Sequence, residues 1–367
     1  MELTNLAGGT AVWTLGAEPS GRESVVVVLK RVLAIPGPDE TAAFTEEAPE
    51  PVYADEFAGE PGLSAPLREY DFAAFKPRCD ILVEGPALAA GGDPVTEMTA
   101  GVKIGEVRKT FSVIGPRRWI NGVGGLRPSA PEPFVSAEVT YGEAFGGTDI
   151  SGGDPKSHVA CRANPVGRGF APKTPAKELE GLALPSTEEP GRSIKSPGDR
   201  LKPMALSPVG RSWPPRVDYA GTYDQAWLDE VFPFLPGDFD ERYYQAAPED
   251  QQTAYLQGGE EAAVLGFSRD GLLRFRLPDL STPIVFYRKG DGALEAEMRA
   301  DTIVFQPGRR RVEITWRARV PLKRDVFKMK EAIIGRQSRA RVRARQLGKT
   351  FHAGLGKALA PRPMEDA

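Results

Sequence analysis

Cysteine and histidine are scarce in this 367-residue chain, which has only two of each. Cys79 and Cys161 can form at most one bridge, so they provide no disulfide framework, and we expect reduced thiols. His158 and His352 lie far apart in the sequence, so a zinc site would lack its usual ligands. We therefore expect neither a bound metal nor any other cofactor.

A long apolar segment is also absent. The longest clear run, residues 25–29, has the length of a strand and is far shorter than the roughly 20 residues that span a bilayer. The first residues, MELTNLAGGTAVW, show neither the basic start nor the apolar stretch of a signal peptide. Together these features predict a cytoplasmic protein that does not bind a membrane.

Motifs of the common enzyme classes are missing as well. The sequence has no GxSxG elbow, Walker phosphate loop, HExxH motif or EF-hand loop. A catalytic triad would have to use His158, in a polar segment, or His352, in the tail. Asp238, Asp240 and Glu241 could form an acid–base cluster, but charge at the start of a helix is the simpler interpretation. We expect no catalytic residues, no enzyme activity and no small-molecule substrate.

Glycine and proline are abundant instead, with 40 and 34 residues. Both disfavour helix interiors, so their number favours turns and short strands. Residues 25–35 and 79–84 are predicted to be buried strands, because they are short and rich in β-branched side chains. Residues 99–104 and 107–113 flank Gly105-Glu106, a pair typical of a two-residue hairpin turn.

The C-terminal half shows the same pattern of strands and turns. Strands are predicted at residues 262–268, 272–277, 284–287, 293–298, 302–306 and 310–320. In the last of these, apolar side chains alternate with Glu313, Thr315 and Arg317, which predicts a sheet with one solvated face. Residues 224–231 are predicted to form a short helix. The predicted fold is mostly β, with antiparallel sheets in a sandwich or barrel, long irregular Gly/Pro-rich loops, a few short helices and a basic C-terminal helix.

The chain is predicted to divide into a β-rich part, residues 1–322, and a basic helical tail, residues 323–367. The first part could also consist of two subdomains, about 1–120 and 205–322, bridged by the irregular residues 121–204. The tail helix is predicted from apolar residues that recur at three, four or seven positions, namely Val326, Met329, Ile333, Ala340, Ala344, Leu347 and Phe351. Because the alternating strands end near Leu322, we expect truncation there to leave the fold intact.

Positive charge is concentrated in the tail. Residues 323–357 contain eleven Lys/Arg and two acidic residues, a net charge of +9, while the remainder of the chain carries −12. The arginines form a candidate electrostatic arm made of Arg336, Arg339, Arg341, Arg343 and Arg345. One interpretation is a helix packed on the sheets with solvated arginines. The other is an arm that orders on an acidic partner and speeds its encounter.

Two motifs in the middle of the chain combine glycines with aromatic residues. They are TYGEAFGGTD, residues 140–149, and NPVGRGF, residues 164–170. Paired glycines indicate backbone with positive φ or a close approach of two chain segments. The candidate residues, either architectural or partner-binding, are Tyr141, Phe145, Gly146, Gly147, Asn164, Gly167, Gly169 and Phe170. A structural turn around an aromatic plug is the simpler interpretation, and a binding surface is the alternative.

Residues 213–244 contain nine aromatic side chains, an unusual density. Core packing would explain most of them. An exposed share would mark a protein interface, because Trp and Tyr are enriched there. Trp213, Tyr223 and Trp227 are the candidates in this segment.

These motifs resemble a bacterial family, the domain-of-unknown-function 2169 family. The resemblance is carried by TYGEAFGGTD, NPVGRGF, PRVDYAGTYDQAWLDEVFPFLPGDFDERYYQAAPEDQQ and RFRLPDL, with KPRCDILVEGPALAAGG similar as well, and it spans residues 25–322. Members are encoded among type VI secretion genes and are regarded as adaptor chaperones. The resemblance therefore implies a protein that stabilises an effector or PAAR-like tip protein and loads it on the spike, without catalysis.

Two alternatives stay open from the residues alone. A hydrolase that uses paired carboxylates would need a deep polar pocket holding carboxylates with raised pKa values. Nucleic-acid binding would use the basic tail and would weaken steeply with salt. The net charge of −12 on the rest of the chain argues against the second, so we expect a protein partner and no nucleic acid.

Overall fold

A computed structural model describes residues 1–18, 20–290, 292–322 and 326–352. The strands of the first half are β1 (Glu2–Asn5), β2 (Thr10–Ala17), β3 (Glu23–Ala34), β4 (Ala43–Phe44), β5 (Glu56–Phe57), β6 (Pro66–Arg68), β7 (Cys79–Val83), β8 (Ala87–Leu88), β9 (Glu97–Ile104), β10 (Val107–Ile114), β11 (Trp119–Gly122), β12 (Gly125–Pro128) and β13 (Ser136–Ala137). The later strands are β14 (Phe145–Gly146), β15 (Thr148–Asp149), β16 (Val159–Ala160), β17 (Arg168–Gly169), β18 (Thr187–Glu188), β19 (Gln252–Thr253), β20 (Glu261–Leu265), β21 (Leu272–Arg276), β22 (Thr282–Arg288), β23 (Gly292–Gln306), β24 (Arg311–Pro321) and β25 (Met329–Ile334).

The helices are few and short. They are α1 (Ala176–Leu179), α2 (Gln225–Glu230) and α3 (Arg339–Gln346), with 3-10 turns at Ala90–Gly92, Pro155–Ser157, Val217–Tyr219, Glu241–Tyr244, Glu249–Gln251, Pro307–Arg309 and Val326–Lys328. The predicted mostly-β fold with a basic C-terminal helix is confirmed. The predicted short helix at residues 224–231 is confirmed as α2.

Ten strands form one large sheet that curls into a nearly closed barrel. Its main path runs β1-β25-β22-β23-β24-β3-β2, and β4, β7 and β19 attach beside it. Pairing is antiparallel except for β1 with β25 and β7 with β23. β1 and β2 lie at opposite ends of this path although only residues 6–9 connect them, so the two ends meet and leave a seam.

A second sheet of five strands has the order β18-β10-β9-β20-β21. It contains the predicted hairpin of β9 and β10, in which Gly105 has a φ of 54°. Both sheets combine strands from residues 1–120 with strands from residues 205–322. The main core lies where the two sheets face each other, and the ring centroids of Phe275 and Phe305 are 6.2 Å apart there.

The polar face of β24 is buried, and the predicted solvated face is wrong. The side chains of Glu313 and Arg317 are each only 3% exposed. Residues 66–76, the covering segment, lie over this face and supply ionic partners. Asp71 of that segment binds Lys30 of β3 at 2.8 Å, and Arg317 donates to the backbone oxygens of residues 71 and 73. Buried charges are tolerated because each is paired and hydrogen-bonded.

The predicted tail helix is wrong for residues 329–334, which form β25 between β1 and β22. Met329, Ile333 and Ile334 are buried there. Gly335, with a φ of 90°, ends the strand, and a helix starts only at α3, where Ser338 accepts a hydrogen bond from the Arg341 amide. The expectation that truncation after residue 322 is harmless therefore loses its basis. Residues 323–325 and 353–367 of the tail lie outside the described residues.

Candidate functional site

The two glycine motifs come together in the structure. β14 pairs in parallel with β17, and β15 pairs antiparallel with β16, so residues 144–149 and 164–170 form one unit, the glycine joint. Gly146 and Gly147 have φ values of 152° and 113°, the region that favours glycine. The sequence prediction of positive φ at this pair is confirmed.

Close backbone approach explains the remaining glycines of the joint. A Cβ on Gly146 would overlap the Asn164 carbonyl, and one on Gly167 would overlap the Ala144 carbonyl. Gly169, with a φ of 89°, lies against the ring of Pro185. These positions hold two chain segments at a distance that only glycine permits.

Asn164 ties the joint together from inside. Its side chain is fully buried, and Nδ2 donates to the Tyr141 oxygen at 2.8 Å and to the Phe145 oxygen at 3.0 Å. The Asn164 carbonyl also accepts from the Gly147 amide at 2.8 Å. Asn164 therefore fixes the turn that presents the two aromatic anchors.

The aromatic anchors of the joint face inward. Tyr141 packs edge-on against Trp213, with ring centroids 5.7 Å apart, and Phe145 packs edge-on against Phe170 at 6.4 Å. Tyr141, Phe145 and Trp213 are all buried. These three side chains serve the architecture of the joint and leave no surface for a partner.

A cleft of about 480 Å³ lies between the joint and α1, lined in part by Trp119, Gly147, Asp149 and Leu179. Asp149 accepts hydrogen bonds from the backbone amides of residues 151, 173 and 174 and from the Ser151 and Thr174 hydroxyls. Burial by itself would raise the pKa of Asp149, but these donors outweigh it and hold the pKa well below the usual range. The carboxylate is a structural clasp for the loop.

We expect Asp149→Asn to destabilise the protein by about 1–3 kcal/mol at pH 7, because an ideal acceptor of several donors is lost. A native pKa below the unfolded value of about 3.9 means that this stabilisation is complete above that value and fades as the pH falls toward the native pKa. Denaturant unfolding of both proteins at pH 7 and pH 3 checks this. A difference in unfolding free energy that is equal at both pH values would contradict it.

An exposed apolar surface lies on the segment around α2. The aromatic patch consists of Tyr223, Trp227, Leu228, Phe232 and Phe234, and all but Trp227 are more than half exposed. Trp227 packs edge-on between Tyr223, at 4.7 Å, and Phe232, at 5.6 Å. Its Nε1 donates to the Phe234 oxygen at 3.0 Å. Of the sequence candidates in this segment, Tyr223 and Trp227 belong to the surface and Trp213 to the interior.

The acidic residues next to the patch are engaged locally. Asp238 accepts from the amide and hydroxyl of Thr222, and these hydrogen bonds lower its pKa. Asp240 binds Arg242, mainly by side-chain hydrogen bonds, and its pKa is also lowered. Glu241 pairs with Arg319. Among the described residues no three potential metal ligands cluster together.

The candidate electrostatic arm is attached to the barrel at one arginine. Arg345 pairs with Glu331 of β25, and its guanidinium carbon lies 3.7 Å from the ring centroid of Tyr287. Arg341 lies over Phe351 at 5.2 Å. Arg336 precedes the helix, 4.0 Å from Asp279. Arg339 and Arg343 of α3 are exposed.

Comparison with known proteins identifies a family. A family model described as an uncharacterized protein conserved in bacteria, DUF2169, matches residues 20–317, which include the glycine joint and the aromatic patch. Neither curated proteins nor solved structures give a match. Within the described residues, no helix has the length and apolar character needed to cross a bilayer. Because the matched range covers about four fifths of the sequence, the chain belongs to the DUF2169 family.

Proposed function

We propose that this protein is a non-catalytic, cytoplasmic adaptor that binds a protein client through the aromatic patch. The observation that carries the proposal is the exposure of four large apolar side chains on one short segment. Clusters of this kind mark protein interfaces, where aromatic residues supply most of the binding energy. The motif resemblance supports the client class, namely a type VI secretion effector or PAAR-like tip protein delivered to the spike.

The patch is preorganised, which favours binding. The Asp224 side chain caps α2 by accepting from the Trp227 amide at 2.9 Å. Trp227 is held by two rings and one hydrogen bond, so its neighbours keep fixed positions. A client that covers the patch therefore loses little conformational entropy on the adaptor side.

The carboxylates do not favour the hydrolase alternative. Burial would raise the pKa values of Asp55 and Asp250, but Arg211 beside the first and Lys109 beside the second outweigh it, and both pKa values are lowered. A general acid at neutral pH needs a raised value. These groups are ion-pair partners, with Arg211 2.7 Å from Asp55 and Lys109 3.1 Å from Asp250.

The patch is tested with the double variant Leu228→Lys/Phe232→Lys, co-expressed with the effector or tip protein encoded beside the gene. We expect at least a tenfold loss of captured client with an unchanged melting temperature, because both side chains are more than half exposed. Leu63→Lys is the matched control, since Leu63 is 72% exposed and lies outside the patch. Equal capture by the double variant and the wild type would refute the proposal.

A further inference from the structure

β2 is an edge strand whose outer side is unpaired. Within the described residues its backbone ladder is formed with β3 alone. The Leu322 amide donates to the Glu23 oxygen, so odd-numbered residues of β3 bond to β24. The Glu18 amide donates to the Arg22 oxygen, so even-numbered residues join β2 and β3. The odd-numbered residues of β2 therefore direct their N–H and C=O groups away from the sheet.

Four residues present these outward groups. They are Ala11, Trp13, Leu15 and Ala17. Among the described contacts, one side-chain donor reaches this row: the Thr14 hydroxyl, 3.4 Å from the Leu15 oxygen. Unpaired groups repeating at every second residue match the ladder of an extended strand.

β2 also lacks the features that protect edge strands. Natural edges carry charges, prolines or bulges that prevent pairing with another chain. The sequence of β2, TAVWTLGA, contains neither a charged residue nor a proline, and its pairing with β3 is regular throughout. An unprotected edge eight residues long is expected to have a partner.

β1 is too short to fill this role. It has four residues and β2 has eight, so they span about 13 Å and 27 Å at roughly 3.3 Å per residue. The residues of β2 that face the barrel interior are only partly covered. Ala11 and Trp13 pack against the main core, and Leu15 is 48% exposed. An added strand would place alternate side chains over this seam.

The edge continues into the aromatic patch. β2 and β3 are joined through Gly21, and a Cβ built there would lie 3.3 Å from the Phe234 ring. Phe234 therefore rests on the turn at the end of β2. A client that covers the patch can run directly along the adjacent strand edge.

We propose that β2 accepts an extended strand of the client protein by β-strand addition, at the seam between β1 and β2. This inference rests on the proposed function, because the client that covers the patch supplies the strand. Main-chain hydrogen bonds to the four outward residues would give affinity, and side chains facing Trp13 and Leu15 would give selectivity for apolar residues at alternate positions.

Hydrogen exchange of the full-length protein tests this, with the protein encoded beside the gene as the probe. In the free protein, we expect the amides of residues 11, 13, 15 and 17 to exchange fast and those of 12, 14 and 16 slowly. In the complex the four outward amides should slow at least tenfold. Unchanged exchange of these four in a complex that has formed would overturn the inference.

Two proline variants provide a second measurement. Leu15→Pro removes an outward N–H without removing a bond to β3, which edge strands tolerate. We expect it to weaken client capture at least tenfold. Leu15→Thr keeps the N–H and controls for loss of the side chain, so it should stay within about threefold of the wild type. Ala17→Pro removes another outward N–H and replaces Leu15→Pro if that variant melts early.

The outcomes separate the two proposals. Capture that is lost in the patch variant but kept in both proline variants supports the adaptor function and overturns strand addition. Capture that is kept in all variants refutes both. A dimer of this chain that Leu15→Pro abolishes, with client capture unchanged, would assign the edge to a second copy and also overturn the inference.

Discussion

Removing residues 323–367 is expected to unfold the protein, whereas removing residues 338–367 is expected to leave it folded. The first deletion takes β25 out of the main sheet, where it lies between β1 and β22. The second keeps β25 and removes α3, whose residues are largely exposed. Circular dichroism and urea unfolding of the two truncated chains measure the difference.

The expected size follows from burial. Met329, Ile333 and Ile334 are nearly inaccessible, and burying each contributes about 1.5–3 kcal/mol. Their sum, about 5–9 kcal/mol, is comparable to the whole stability of a typical protein, about 5–15 kcal/mol. β1 would also lose its neighbour in the sheet. Cooperative unfolding of the 1–322 chain at the wild-type urea midpoint would show that β25 is dispensable.

Gly147→Val is expected to cost about 2–4 kcal/mol of unfolding free energy. The φ of 113° strains any residue with a side chain, and a Cβ would lie 2.6 Å from the Gly167 oxygen. Strain and overpacking each contribute about 1–3 kcal/mol.

Gly153→Val is the control for this change. It lies in the same region, has no positive φ, and a Cβ there would meet nothing within 4 Å. A change within about 0.5 kcal/mol is expected. Equal free energies of unfolding for the two variants would remove the glycine joint from the architecture.

Local patterns predicted much of the sheet structure. β-branched runs located β3, and a glycine turn between alternating segments located the hairpin of β9 and β10. β25 was missed because its short apolar run fits either a strand or a helix until its neighbours are known. β2 was missed although Ala11, Trp13 and Leu15 alternate with polar Thr10 and Thr14, a signal that was available.

The candidate site divides in the same way. Paired glycines predicted the joint, because a positive φ is a local requirement that Gly146 and Gly147 display in the sequence. Exposure is set by distant segments, so nothing near Trp213 or Tyr223 indicates that the first is buried and the second is not. The polar face of β24 was predicted to be solvated because the segment that covers it lies some 240 residues earlier in the chain.

The ionic attachment of the covering segment also determines what the barrel exposes when that segment is absent. On β24 the uncovered face would present Glu313, Thr315 and Arg317, with Lys30 beside them on β3, which are groups that water solvates well. A newly synthesised chain can therefore complete the barrel before residues 66–76 dock without displaying an adhesive apolar surface along this strand. The charged face thus protects a partly folded protein from aggregation, in addition to fixing where the segment binds in the finished one.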